Sequence, residues 1–247
     1  MNTLTYTRLE MLRIVRNRQA LIFSVGFPII MYFLLAGPNK NSKDFLKAAG
    51  VAAPQYYMVG LLSFGAMVAV LSGGARIAAE RTIGWNRQLR LTPLTARAYL
   101  RTKILTGYLM VLCTVVLLYA AGITLGVRLP FDAWVRMTAL VLVALIPFAA
   151  LGIALGHLLN DDAVGAAMGG GVSLFAFLGG TWFPITGGGL FANFCQLLPS
   201  YWLVQAGHVG LGASNPWGAK GWLVIAVWTV ACAAFAKWAY QRDTKRV

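Results

Sequence analysis

Acidic residues are scarce in this chain. Asp and Glu together number 7 in 247 residues, and all charged types make up 11%, against roughly 25% in an ordinary soluble domain. So little charge cannot hold the bulk of the chain in water, and hydrophobic residues fill 59% of it. Glu10 and Glu80 are the only glutamates, and nothing in their spacing pairs them as an acid–base couple. A membrane hydrolase or transferase needs a nucleophile, a metal cluster or paired acids within reach of one another, so no enzymatic activity is expected. The phosphate-cradling pattern Gly-x-x-x-x-Gly-Lys-Ser/Thr is also missing. Any ATP-driven work must therefore draw on another chain, and no cofactor is expected in this one. The three cysteines, Cys113, Cys195 and Cys232, lack metal-like spacing, so neither a disulfide nor a zinc site is expected.

Six apolar stretches, at 20–37, 52–75, 104–126, 134–158, 163–180 and 219–238, have no charged centre. Each is close to the roughly 17–25 residues that a transmembrane helix requires. Proton- and ion-coupled carriers generally keep ionisable residues within the membrane, so that class is disfavoured. The nearest candidates are Arg136, near the outer end of the fourth stretch and within reach of Asp132, and His157, near its inner end. Both are read as interface anchors. His208 is read as a surface or packing histidine, since a zinc site needs several ligands. No internal repeat or linker divides the chain. The expected fold is all-α: one polytopic membrane domain over 1–247 with six transmembrane helices.

The positive charge that remains, +14 net, falls on alternate connections. Placing both termini in the cytoplasm puts Arg8, Arg13, Arg16, Arg18, the basic residues from Arg76 to Lys103, and Lys237, Arg242, Lys245 and Arg246 inside. Only Lys40, Lys43, Lys47, Arg128, Arg136 and Lys220 are then outside, as the positive-inside bias requires. A basic stripe can mark a nucleic-acid surface. Here anionic lipid explains it better, and no nucleic-acid partner is expected. The first apolar stretch follows a basic arm and lacks a small-residue cleavage site before the next polar stretch, so it is expected to be retained.

The arm at 1–19 reads as an interfacial helix with Leu4, Met11 and Val15 on one face and Arg8 and Arg18 near its edges. Residues 37–50 form a short polar external loop. The longest cytoplasmic connection is 76–103, where Trp85 and Leu89 lie one turn apart on a surface helix that Thr92–Pro93 should end. Asn160 or Asp161 is placed to cap the fifth span. Residues 181–218 are too apolar for a solvated loop and too interrupted by Gly and Pro for one span. They read as two short, partly inserted helices near the outer surface, about 188–197 and 200–210. Gly122 to Gly126, Gly152 to Gly156 and Gly165 to Gly169 have the four-residue spacing that permits close helix approach.

Three motifs together carry a resemblance. The basic arm leads into a span with Phe27–Pro28, with Arg13, Arg16, Asn17 and Arg18 as its polar turn. Ala79–Glu80–Arg81 through Pro93 follows the second span. Trp182–Phe183–Pro184–Ile185 is followed by Leu198–Pro199. Nearly the whole chain resembles the membrane-spanning subunit of a bacterial ABC-2 type exporter, of the kind found in daunorubicin-resistance-like and other drug or polyketide efflux systems. Trp85 and Asn86 depart from the family's usual small residue and its neighbour, and Gln88 stands near the usual acidic position.

The resemblance implies an ABC-2 exporter fold, with an N-terminal interfacial helix, a cytoplasmic coupling helix within 76–103 and outer re-entrant helices within 181–218. It implies a dimer, of identical or related permease chains, joined to two ATP-binding cassette subunits that hold ATP and Mg. By carry-over, Glu80, Arg81, Gly84, Trp85, Leu89 and Pro93, with Arg13, Arg16 and Arg18 of the arm, couple this chain to the ATPases. Phe23, Phe27, Tyr56, Met58, Phe64, Met67, Phe175 and Phe177 are placed along an apolar transport path, where Met and aromatic surface suits hydrophobic cargo. Each taken alone reads equally as lipid-facing or core packing. Phe183, Pro184, Phe191, Phe194, Pro199, Tyr201 and Trp202 are placed at an outer gate, although an interfacial aromatic belt explains the same types.

The implied function is export of a hydrophobic drug, lipid or secondary metabolite across a bacterial inner membrane. The rivals are a polysaccharide or glycolipid export permease and a membrane scaffold that moves nothing. Replacing Glu80 is expected to uncouple transport while leaving the membrane fold largely intact.

Overall fold

The computed structural model describes residues 3–85, 88, 92, 94–185, 189–212 and 217–244, and among these every regular element is helical. Helix α1 spans Thr3–Arg16. Asn17 then turns the chain and caps α2, Arg18–Ala36, by accepting from the Ala20 amide at 3.1 Å. Ser42 caps a short α3, Lys43–Ala49, which ends at Gly50 in the left-handed region. The long helices α4, Ala53–Thr82, and α5, Ala96–Thr124, follow. Helix α6 covers Phe131–Leu158, and Asn160 caps α7, Asp161–Leu178, through the Ala163 amide at 2.9 Å. Two short outer helices, α8 at Leu190–Cys195 and α9 at Pro199–His208, precede α10 at Ala219–Thr244.

Helices α2, α4, α5, α6 and α10 contain stretches long and apolar enough to cross a membrane, and α7 is a shorter apolar helix. Its 18 residues reach about 27 Å at about 1.5 Å per residue. α4 is the hub: 83% of its apolar window is buried, against 28% for α10, and α2, α5, α6, α7 and α9 all pack on it. The apolar side chains exposed on the outer helices, such as Leu34, Val116 and Val227, suit a lipid environment.

Prolines interrupt two of the spans, and hydroxyls from a neighbouring helix donate to carbonyls beside the breaks. In α2 a π-helical turn, Ile22–Gly26, precedes Pro28. Pro28 has no N–H for the Ser24 carbonyl one turn earlier, and the Thr114 hydroxyl donates to that carbonyl at 3.2 Å. In α6, Pro147 follows a break at Leu145, and the Tyr108 hydroxyl donates to the Leu142 carbonyl at 3.0 Å beside it. The glycine pair at 152 and 156 provides the close approach expected of it. A Cβ on Gly156 would lie 2.5 Å from the Gly74 carbonyl oxygen. Gly165 and Gly169 have open space around them instead, so their spacing serves no contact within this chain.

Two helix limits differ from those expected. The helix that carries the second span does not stop near 75. α4 continues to Thr82 and α5 begins at Ala96, so the connection shrinks to 83–95. Charge does not end these helices because their ionic side chains neutralise one another. The helix that carries the sixth span likewise runs past 238 to Thr244. The face of α1 that packs on the bundle carries Tyr6, Glu10 and Ile14, and Met11, on the expected interfacial face, is half-buried. The side chains of Leu4 and Val15 lie outside the described residues.

Candidate functional site

The ends of α4 and α5 that flank the 83–95 connection, with α1 laid against them, hold a buried ionic cluster. Glu80 on α4 is 0% exposed. Its carboxylate accepts from Arg13 Nη1 of α1 at 2.6 Å, from the Tyr99 hydroxyl at 2.6 Å and from Lys103 Nζ at 2.6 Å. Lys103, itself buried, also donates to Glu10 Oε1 at 2.5 Å. Arg76 brings its Nε to 3.4 Å from the same oxygen, close enough for attraction but outside hydrogen-bond geometry, and its Nη groups reach Ser72 at 3.3 Å and Thr106 at 3.4 Å. Tyr6 packs against Tyr99 with ring centroids 6.2 Å apart. Burial, with Glu10 and Glu80 nearby, pushes the Tyr6 phenol well above its ordinary pKa and keeps it neutral.

The neighbouring residue faces other helices. Arg81 pairs with Asp243 of α10 at 2.9 Å, and its Nη1 donates to the carbonyls of Gly156 at 2.9 Å and Leu159 at 3.1 Å. Those carbonyls lie at the C-terminal end of α6, where intrahelical partners run out and a cation is favoured. Asp243 also meets His157 Nδ1 at 2.9 Å. Glu80 thus ties α4 to α1 and α5, and Arg81 ties it to α6 and α10. The arrangement works as a mechanical joint: a displacement at the end of α4 is felt by four other helices.

Asp243→Ala is expected to free the last turn of α10. Hydrogen exchange of amides 236–243 should quicken, and Arg81, left without its carboxylate, should cost the fold about 1–3 kcal/mol. Unchanged protection there would show that the pair carries no weight.

The residues proposed for coupling separate by environment. Glu80 is buried, Arg81 is half-buried, and Arg13 is 47% exposed while reaching inward to Glu80. Arg16, Arg18 and Trp85 are exposed, and Gly84 takes the left-handed conformation, φ +71°, that ends α4. Leu89 and Pro93 lie outside the described residues. Glu80, expected in the cytoplasmic connection at 76–103, therefore lies within α4 instead. It sits on the inner wall of the joint, because its carboxylate has three donors to satisfy.

The path residues separate too. Met58 and Met67 are wholly buried and Tyr56 and Phe64 nearly so, so in this conformation they belong to the core around α4. Tyr56 donates its hydroxyl to the Gly180 carbonyl. Phe27 packs on Phe64 and Trp182, and Phe175 on Phe148. Phe23 and Phe177 remain exposed. At the opposite end, Pro199, Tyr201 and Trp202 are buried, while Phe183, Phe191 and Phe194 are exposed and Pro184 is half-buried. Trp202 and Trp228 donate to the carbonyls of Gln196 and Leu197, each at 2.8 Å, which fixes α8 and α9 to the bundle.

Arg136 does pair with Asp132, at 2.8 Å on an exposed face. His157 is buried against Asp243 and Tyr240, and His208 is a packing histidine, buried against Tyr56. The sequence reading missed Glu10, Arg76, Tyr99, Lys103 and Asp243. Part of the signal was present: Tyr6, Glu10 and Arg13, then Arg76 and Glu80, then Tyr99 and Lys103, each recur at the three- or four-residue spacing of one helix face.

Comparison with known proteins bears on what this joint serves. The description "ABC-2 family transporter protein" matches residues 41–236, a stretch running from α3 into α10 that contains both halves of the joint on α4. Over 209 residues the chain is 29% identical to the "Putative transport permease YvfS" of Bacillus subtilis (strain 168), covering 83% of this chain and 80% of that protein. With its apolar helices and the match over most of its length, this chain belongs to the ABC-2 family of transporter proteins, as a multi-pass transmembrane subunit.

Proposed function

We propose that two such permease chains, identical or related, join two ATP-binding subunits in a bacterial inner membrane, with both termini of this chain in the cytoplasm. Closure of those subunits on ATP and Mg drives a hydrophobic drug, lipid or secondary metabolite outward from the cytoplasm or inner leaflet. Family membership supports association with ATP-binding subunits in general. The observation that carries the coupling reading is the joint itself. A push delivered at Ile83 and Trp85 enters α4 beside Glu80 and Arg81, and so reaches α1 and α5 on one side and α6 and α10 on the other. A rigid element with two-sided contacts is what a switch between two membrane states needs.

Ile83 is 68% exposed and Trp85 36% exposed, an apolar pair on the connection with no place in the core. Such a pair suits burial against a partner, where an aromatic anchor carries much of the binding. Exposed Phe23 and Phe177 support an apolar cargo in the same way.

The double change Ile83→Ala, Trp85→Ala is expected to lower cargo-stimulated ATP turnover of the reconstituted complex about tenfold, the effect of losing about 1.4 kcal/mol at an interface. The unfolding midpoint of the isolated chain should not move. Unaltered turnover in the folded variant would reject this docking surface.

A further inference from the structure

A cavity of about 300 Å³ opens where α6 and α10 end, lined by His157, Leu158, Phe235, Trp238, Arg242 and Asp243. The rings of Phe235 and Trp238 stack nearly parallel, 5.8 Å between centroids and 14° between planes, and the Arg242 guanidinium lies 5.4 Å over Trp238. This wall holds a cation in place over an aromatic face. We propose that the cavity is a binding site for the phosphate head group of an anionic glycerophospholipid.

The charge balance favours an anion. The Asp243 carboxylate is already held by Arg81 and by His157, each at 2.9 Å. Arg242 has no carboxylate partner among the described residues, and its planar fork matches phosphate oxygens. His157 is 5% exposed, and its Nε2 makes no hydrogen bond among the described residues. The Nδ1 bond to Asp243 holds the ring as part of the cavity wall, and the buried Nε2 presents no surface to a ligand. The cavity thus offers a phosphate site at the Arg242 guanidinium.

The surface beyond the cavity argues for a lipid over a soluble phosphate. From Trp238 the exposed face of α10 continues through Ala234, Val230, Val227 and Leu223 at three- and four-residue spacing. That is a continuous apolar stripe along one helix face. Acyl chains attached to a head group in the cavity lie along it, whereas a free phosphate has no use for it. The inference rests on the membrane-spanning reading of α10 and needs no ATP coupling.

The test is native mass spectrometry of the full chain released from membranes of equal phosphatidylglycerol and phosphatidylcholine content. The unaltered chain should retain phosphatidylglycerol in preference by about tenfold, as expected for a charge-assisted contact. Arg242→Gln should abolish the preference, and Trp238→Ala should weaken it. Lys237→Gln removes the same charge from an exposed neighbour that does not line the cavity, and should leave the preference intact. A preference left unchanged by Arg242→Gln, or lost to the same extent in Lys237→Gln, overturns the site. Displacement of the lipid by millimolar inorganic phosphate would overturn the lipid assignment in favour of a soluble phosphate. Because transport is not measured, failure of the exporter reading would not alter these outcomes.

Discussion

Glu80→Ala should destabilise the folded chain by about 3–5 kcal/mol, the usual cost of removing one partner from a buried ion pair. The cost arises from what stays behind. Lys103 would retain only Glu10 for a buried ammonium group, the Tyr99 hydroxyl would lose its acceptor, and Arg13 would have nothing to reach inward for. Replacing both members with apolar residues, Glu80→Leu with Lys103→Met, should recover much of the loss, because the desolvation cost of the charges disappears with them. Unfolding in detergent, followed by circular dichroism, measures both variants. A Glu80→Ala chain as stable as the original would show that the carboxylate is solvated and the joint absent. The sequence reading assigned Glu80 to coupling with the fold left intact. Its burial makes fold and coupling inseparable at this position, and leaves Ile83 and Trp85 as the cleaner probes of coupling.

Gly74→Val should separate α4 from α6. Even a Cβ at Gly74 would stand 2.0 Å from the Gly152 carbonyl oxygen and 3.1 Å from its Cα, with backbone on both sides and no side chain to swing away. Overpacking of this kind costs about 1–3 kcal/mol and more where the backbone cannot shift. The loss should appear as a lowered unfolding midpoint and as faster hydrogen exchange where the Arg81 bonds to Gly156 and Leu159 depend on the same contact. Gly169→Ala is the control. Nothing lies within 4 Å of its Cβ position, so the change should be neutral within this chain or stabilise α7 by roughly 0.5–1 kcal/mol through helix propensity. A clear loss at Gly74 and none at Gly169 is expected, and equal effects would contradict the packing.

The two glycines also mark where sequence reasoning stops. Four-residue glycine spacing occurs in α5, α6 and α7, yet only the Gly152–Gly156 pair meets another backbone, because that outcome depends on which helix lies opposite. The spans themselves were legible because lipid imposes one length and one polarity on each. The breakers were legible because Pro lacks a donor: Pro199 opens α9 and the outer segment splits into two helices close to the expected limits. Arg76 and Lys103 were assigned to a loop because an unpaired charge would end a span. Their acids, Glu10 and Glu80, lie 93 and 23 residues from Lys103 in the chain, and the longer separation has no local signature. Asp243 escaped notice for the same reason, since its partners Arg81 and His157 are 162 and 86 residues away. Face periodicity shows that a helix carries a polar stripe, and only the fold shows which stripes meet.

Mass analysis of the complex purified gently through this chain tests the central claim most directly. Two copies of the permease, or one beside a related chain, bound to two ATP-binding subunits is the predicted composition. A folded, intact chain that comes through alone, with no ATP-binding subunit under conditions that preserve its own helices, would contradict it.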